Sequence, residues 1–272
     1  MHIILVLLLA AAAFLNQAYA ESLAPEPAPQ LSATNFAFPS FDTQSCSSSS
    51  NLLCLGAVTA HDGFLSLTPE PSLFPGFRNS NKHKVGWVLY RQPVVVWPAF
   101  LSTVFKFRIV VASNSSAGDG VSFLMLPVNR PSLDDLGIVG QPNTKPGSDI
   151  RQLTVRLDTY KNNFDIDGNH ITVDTASVER PLIAASPNGS GIDLKSGKVI
   201  KVQIDYNSWT KWLEVHAGYE SNPLEKIVSR QIDVTGRIPN SMYVGFAAVT
   251  QNFAESHQLL SWEFKSTTKW NH

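Results

Sequence analysis

An all-β sandwich is the fold this sequence predicts, on three observations. Apolar residues recur with the two-residue period of a strand in several separate segments. The chain carries 17 prolines and 16 glycines, many of which divide those segments into short runs. No long amphipathic helical pattern follows the first 20 residues.

The chain opens on MHIILVLLLAAAAFLNQAYA, where an apolar run from Ile3 to Phe14 leads to the small-x-small triplet Ala18-Tyr19-Ala20. That layout predicts a secretory signal over 1–20 and a mature chain from near Glu21. No later segment reaches the ~20 apolar residues of a membrane span. The C-terminus, SWEFKSTTKWNH, carries no hydrophobic tail. A secreted, extracellular or apoplastic protein is expected, and no kinase domain, because the chain stops soon after its last strand pattern. Residues 21–32, rich in proline, read as an extended lead-in. One domain is expected over 33–268, entered at Phe36-Ala37-Phe38, with no repeat or linker dividing it.

Within that domain Phe105, Phe107 and Ile109 share one strand face, as do Ile200, Val202, Ile204 and Tyr206. In QLTVRLD, Leu153, Val155 and Leu157 face one way and Thr154, Arg156 and Asp158 the other. These alternations predict half-buried antiparallel strands.

The formal net charge is -1 without signed blocks, which argues against nucleic acid or an anionic membrane as partner. Cys46 and Cys54 bracket a short polar loop and predict a local disulfide in an exported chain. Two sulfurs with no nearby histidine before His61 argue against a metal site there. Asn114 and Asn188 head N-x-S triplets, candidate N-glycosylation sites of a secreted glycoprotein.

The densest chemistry lies in VRLDTYKNNFDIDGNH, residues 155–170. Asn163, Asp165, Asp167, Gly168 and Asp174 approach the spacing of an EF-hand loop, but strand patterns rather than helices flank them. A polar hairpin explains the composition better than that loop does, since Asp, Asn and Gly dominate turns. A hard-cation site is the third reading, with oxygens from Asp158, Asn162 and Asp165.

Five segments in order settle how that stretch is read: VGWVLYRQPVVVW at 85–97, FLSTVFKFRIV at 100–110, GDGVSFLMLP at 118–127, LTVRLDTYKNNFD at 153–165, and VGFAAVT with HQLLSWEF at 244–264. Together they resemble the legume (L-type) lectin domain family of plants across nearly all of the mature chain. The resemblance implies a jelly-roll β-sandwich with a shallow sugar site beside a paired calcium and transition-metal centre. On that pattern the metal residues are Asp158, Tyr160 through its backbone carbonyl, Asn162, Asp165 and His170. The family's leading glutamate is replaced by Arg156, a cation that cannot ligate one. The substitution predicts loss of the transition-metal (Mn2+) site, with Arg156 pairing to Asp158 in the ion's stead, and leaves Ca2+ open.

For carbohydrate the resemblance implies Asp119, Asn162 and the aromatic face of Tyr160, with oxygens accepting from hydroxyls and a ring lying against C–H groups. It implies a cis Gly118–Asp119 peptide. It also implies a glycine turn, here Asp134-Asp135-Leu136-Gly137, where Asp134 stands in a glycine's place. The last loop, Thr250 to His257, reads as solvated, with Glu255 and His257 unassigned. Homo-oligomers through the flat outer sheet are common in the family.

Three functions follow. The first is a secreted glycan- or glycoprotein-binding lectin of defence or cell-surface recognition. The second keeps the fold as a protein-interaction or defence module without sugar or metal. An enzyme, the third, is disfavoured: Arg156, Asp158 and Tyr160 put one carboxylate where a retaining glycosidase needs two ~5 Å apart, and neither a Gly-x-Ser-x-Gly elbow nor a His-Glu-x-x-His helix appears.

Overall fold

The sequence expectation of alternating strands is met most clearly in the longest ones. In a computed structural model of the chain, described for residues 33–70, 84–111, 118–129, 152–175, 180–250 and 255–268, Leu101, Thr103, Phe105, Phe107 and Ile109 all turn inward from one strand. The signal and lead-in at 1–32, Asn114 and the Asp134–Gly137 turn lie outside the described residues.

Strands are numbered in chain order. One antiparallel sheet runs β14 (Glu225–Gln231), β13 (Trp212–Tyr219), β12 (Ile200–Asn207), β7 (Phe100–Val111), β16 (Glu255–Thr267), β4 (Phe64–Ser66) and β3 (Thr59–His61), with β1 (Ala33–Phe38) also on β16. The other runs β11 (Ile183–Ala185), β10 (His170–Asp174), β9 (Leu153–Asp158), β8 (Val121–Leu126), β15 (Ser241–Thr250), β5 (Lys84–Tyr90) and β2 (Leu52–Gly56), with β6 (Val94–Val95) on β15.

The core lies between the sheets. Phe105 meets Phe246 edge-on at 4.8 Å, and Phe246 meets Trp262 at 5.0 Å, so aromatic rings join the two layers at its centre. The Trp262 indole donates to Thr103 at 3.0 Å, which satisfies the one polar atom that ring buries. A smaller apolar cluster, with Trp87, Leu89, Leu124 and Leu126, occupies the opposite face of the second sheet. Cys46 and Cys54 are disulfide-bonded, closing the loop that leads into β2.

Two expectations change. β9 is not half-buried: Leu153, Val155 and Leu157 enter the core as predicted, yet Thr154, Arg156 and Asp158 are buried as well. Glu255 and His257 are not in a solvated loop but buried on β16. Both departures occur at the same end of the sandwich, where β9, β10 and β16 begin or finish, and they build the site.

Candidate metal and carbohydrate site

β9 and β10 pair so that Asp158 lies opposite His170 and Arg156 opposite Thr172. The loop between them turns back through a short bond network. The backbone N–H and side-chain amide of Asn162 both donate to Asp165 Oδ2 at 2.8 Å, and the Tyr160 N–H donates to Asp158 Oδ1 at 2.8 Å. Each is a local carboxylate turn of the kind Asp and Asn favour.

This brings ligating atoms of Asp158, Asp165 and His170 within 4.8 Å of one another, three of the residues expected at the metal loop. His170 Nε2 stands 3.3 Å from Asp165 Oδ1 and 3.8 Å from Asp158 Oδ2. Tyr160 and Asn162 are half-buried beside them, while Phe164 and Ile166 are exposed. With β9 before the loop and β10 after it, the EF-hand reading fails for lack of helices.

Arg156 is fully buried, and its guanidinium lies 3.7 Å from Asp158 Oδ2 and 3.9 Å from Asp174 Oδ2. Its Nε–H donates to Thr172 Oγ1 at 3.2 Å, and that hydroxyl donates onward to Asp174 at 2.8 Å. A second cation went unread in the sequence. Lys195 Nζ donates to the carbonyls of Thr159 at 3.3 Å and Gly168 at 3.1 Å, joining the two ends of the loop. Asn169 holds the Lys195 turn in place, donating to Ile192 O at 2.8 Å and accepting from the Leu194 N–H at 2.9 Å. No local pattern connects Lys195 to a loop some thirty residues earlier.

Burial pushes the Asp158 and Asp174 carboxyls up to about 6, against the pull of Arg156 on both. Burial also opposes ionisation of Asp165 and of His170, but their mutual contact outweighs it. Asp165 is held below the ordinary aspartate range and His170 is raised above the ordinary imidazole value.

The signs of these shifts set a pH dependence. The raised Asp158, Asp174 and His170 contribute stability that is complete below their unfolded values and lost as pH climbs through the folded ones. The depressed Asp165 contributes the opposite way, losing stability only as pH falls through its lowered value. The thermal midpoint is therefore expected to fall by about 5 °C between pH 5 and pH 7.5. Calorimetry across that window, with a flat or rising midpoint as the contrary result, checks it.

The family's ion pair is not matched residue for residue: Asp158, Asp165 and His170 form a group that could hold one ion, with Asp158 Oδ2 and His170 Nε2 buried and not hydrogen-bonded, but Arg156 stands where the glutamate would be. A calcium ion takes 6–8 oxygens, yet both carboxylates already accept from loop donors on one oxygen and face Arg156 or His170 with the other. The guanidinium also supplies positive charge where a second ion would need a ligand.

Asp119 lies just before β8, whose Val121 pairs with Leu157, so it sits beside the end of β9. It is buried between Gly118 and Gly120. The cis peptide bond among the described residues is Trp97–Pro98; Gly118–Asp119 is not cis. A cis bond outside proline costs about 3 kcal/mol and persists only where surroundings impose it; here the Glu255 carboxylate accepts the Gly118 and Gly120 N–H groups on the same side. Asn188 is exposed on a 3-10 turn, Pro187–Ser190. Its side-chain amide donates to Asp167 at 3.2 Å and accepts from Asn169 at 2.6 Å.

Two packed antiparallel sheets with an acid- and amide-rich loop at one end define a jelly-roll sandwich of the lectin type. The legume lectin domain model matches residues 33–272, and the chain belongs to that family. It is 30% identical over 245 residues to a bark lectin of Styphnolobium japonicum, covering 86% of this chain and 85% of that one. It is 29% identical over 213 residues to a probable L-type lectin-domain containing receptor kinase, S.5, of Arabidopsis thaliana. There it covers 75% of this chain but only 32% of the kinase, so the chain spans about a third of that protein. Among solved structures it superposes on winged bean acidic lectin complexed with methyl-α-D-galactose at a TM-score of 0.71 and 26% identity, covering 88% of this chain and 100% of that one. For arcelin-5, a lectin-like defence protein from Phaseolus vulgaris, the TM-score is 0.67 at 26% identity, with 87% and 99% covered.

Proposed function

We propose that this protein is a secreted, carbohydrate-binding lectin whose site works without bound metal ions. The observation that carries the reading is the coincidence, at one end of the sandwich, of Asp119, Tyr160 and Asn162 with a loop held by the buried cation Arg156. Asp119 offers a carboxylate to sugar hydroxyls. Asn162 turns its amide N–H to Asp165, leaving its carbonyl oxygen as an acceptor. Tyr160 supplies a ring for the apolar face of a sugar.

Calcium at Asp158, Tyr160, Asn162 and Asp165, and a transition metal at His170, are not part of this reading. Arg156 and Lys195 supply the positive charge that would otherwise hold the loop. Export is supported by the signal-like residues 1–20 and by the Cys46–Cys54 disulfide, which suits an oxidising compartment. Glycosylation at Asn114 and Asn188 belongs to the same proposal. A defence or recognition role is supported by the likeness to arcelin-5.

A glycan array probed once with added Ca2+ and Mn2+ and once with EDTA tests the function. Binding to at least one glycan class, equal under both conditions, is expected. Binding that vanishes in EDTA overturns the metal-independent half. Folded protein that binds nothing in either condition favours the interaction-module reading instead.

A further inference from the structure

The segment that carries Asp119 is gripped by residues outside the metal loop's ligand set. Glu255, fully buried at the start of β16, accepts the Gly120 N–H at 3.0 Å and the Gly118 N–H beside it. The hydroxyl of Thr159 lies 2.8 Å from the Gly118 carbonyl and 3.0 and 3.3 Å from the two Glu255 oxygens. With one proton to give, that hydroxyl donates to either acceptor, and it stands between the peptide on one side of Asp119 and the carboxylate that takes the N–H on the other.

Two further groups fix Glu255 itself. His257 Nε2 is 2.8 Å from Glu255 Oε1, and His257 Nδ1 is 2.8 Å from Thr68 Oγ1. The same Thr68 hydroxyl donates to the Glu255 backbone carbonyl at 3.0 Å. His257 thus bridges the Glu255 carboxylate and a threonine that reaches the Glu255 main chain, so the buried acid is partnered on both its side chain and its backbone.

The glycines fit the same grip. A Cβ on Gly118 would lie 3.0 Å from Glu255 Oε1. Gly120 has φ +80°, and a Cβ there would meet the Leu157 carbonyl at 2.0 Å. Asp119 thus sits between a glycine whose Cβ would press on Glu255 and one that admits no side chain.

We propose that Glu255 is a positioning residue that aims the Asp119 carboxylate at a bound sugar, with Thr159 and His257 completing a clamp that needs no ion. This rests on the carbohydrate-binding reading above.

The test uses Thr159→Val, which removes the hydroxyl at nearly constant shape, Thr159→Ser, which restores it, and Glu255→Gln. Amide hydrogen exchange is followed in each, and each is applied to the same glycan array as wild type. In Thr159→Val and Glu255→Gln, exchange at residues 118–122 is expected to rise about 10-fold or more while β7 and β12 keep wild-type protection. Binding to the wild type's preferred glycan should weaken about 5- to 50-fold, and Thr159→Ser should recover both. Unchanged exchange in both variants overturns the clamp. Exchange that rises equally in β7 and β12 reduces Glu255 to a general stabiliser and overturns the positioning role, as does unweakened binding despite a loosened segment. A wild type that binds no glycan overturns the aiming of a sugar ligand together with the reading it rests on, and exchange alone then decides whether the clamp exists.

Discussion

Arg156→Glu is expected to turn a metal-indifferent protein into a metal-dependent one. The guanidinium is buried against Asp158 and Asp174, and Asp165 lies within reach of His170 nearby. Exchanging it for a carboxylate removes the strand's only cation and adds another buried acid. Removing one partner of a buried pair costs about 3–5 kcal/mol, which for a domain of this size lowers the thermal midpoint by about 10 °C. That loss should appear in chelator and be recovered with Mn2+ and Ca2+, since a ligand at 100 times its dissociation constant returns about 2.7 kcal/mol.

Arg156→Met separates charge from ligation. It leaves Asp158 and Asp174 without their cation but offers no carboxylate, so it should be destabilised and unresponsive to metal. Thermal unfolding with and without ions, paired with metal content by mass spectrometry, reads all three proteins. Wild type purified without chelator should carry no stoichiometric metal and should show the same midpoint in EDTA. Bound metal in wild type, or an Arg156→Glu protein as stable as wild type in chelator, would overturn the substitution of cation for ion.

The sheets were legible in the sequence because their signal is local. Ile200, Val202, Ile204 and Tyr206 alternate with polar neighbours, and β12 buries those four side chains. The same rule placed Arg156 and Asp158 on the face away from the core. It could not say that this face is covered, since burial on both faces of a strand depends on chain far from it in sequence. Glu255 and His257 failed for a different reason. Counting back by twos from Leu259 assigns both to the inward face, but charged residues at a strand end ordinarily mark solvent. The glycine amides, Thr159, Thr68 and each other make their burial tolerable, and the glycines and threonines among those partners come from segments distant in sequence. Local pattern therefore gave the frame and, with the family resemblance, the loop residues, while the groups that hold the loop depend on contacts distant in sequence.

Asp119→Ala and Asn162→Ala should each remove most carbohydrate binding, and for separable reasons. An ionised acceptor contributes more than a neutral one, about 1.5–3 kcal/mol per bond to a charged group, so loss of the Asp119 carboxylate should weaken binding about 10- to 100-fold. Asp119→Asn keeps the shape and one acceptor oxygen without the charge, and should fall between alanine and wild type. Asn162 keeps its amide oxygen as an acceptor while its nitrogens hold Asp165. Alanine there removes a sugar acceptor and one of the two bonds to Asp165, so binding should drop together with a stability loss of about 1 kcal/mol. Titration of the preferred glycan against each variant, beside its thermal midpoint, distinguishes the two patterns. Wild-type affinity in Asp119→Ala would place the sugar elsewhere on the sandwich, because the clamp on Gly118 and Gly120 then holds a carboxylate that no sugar meets.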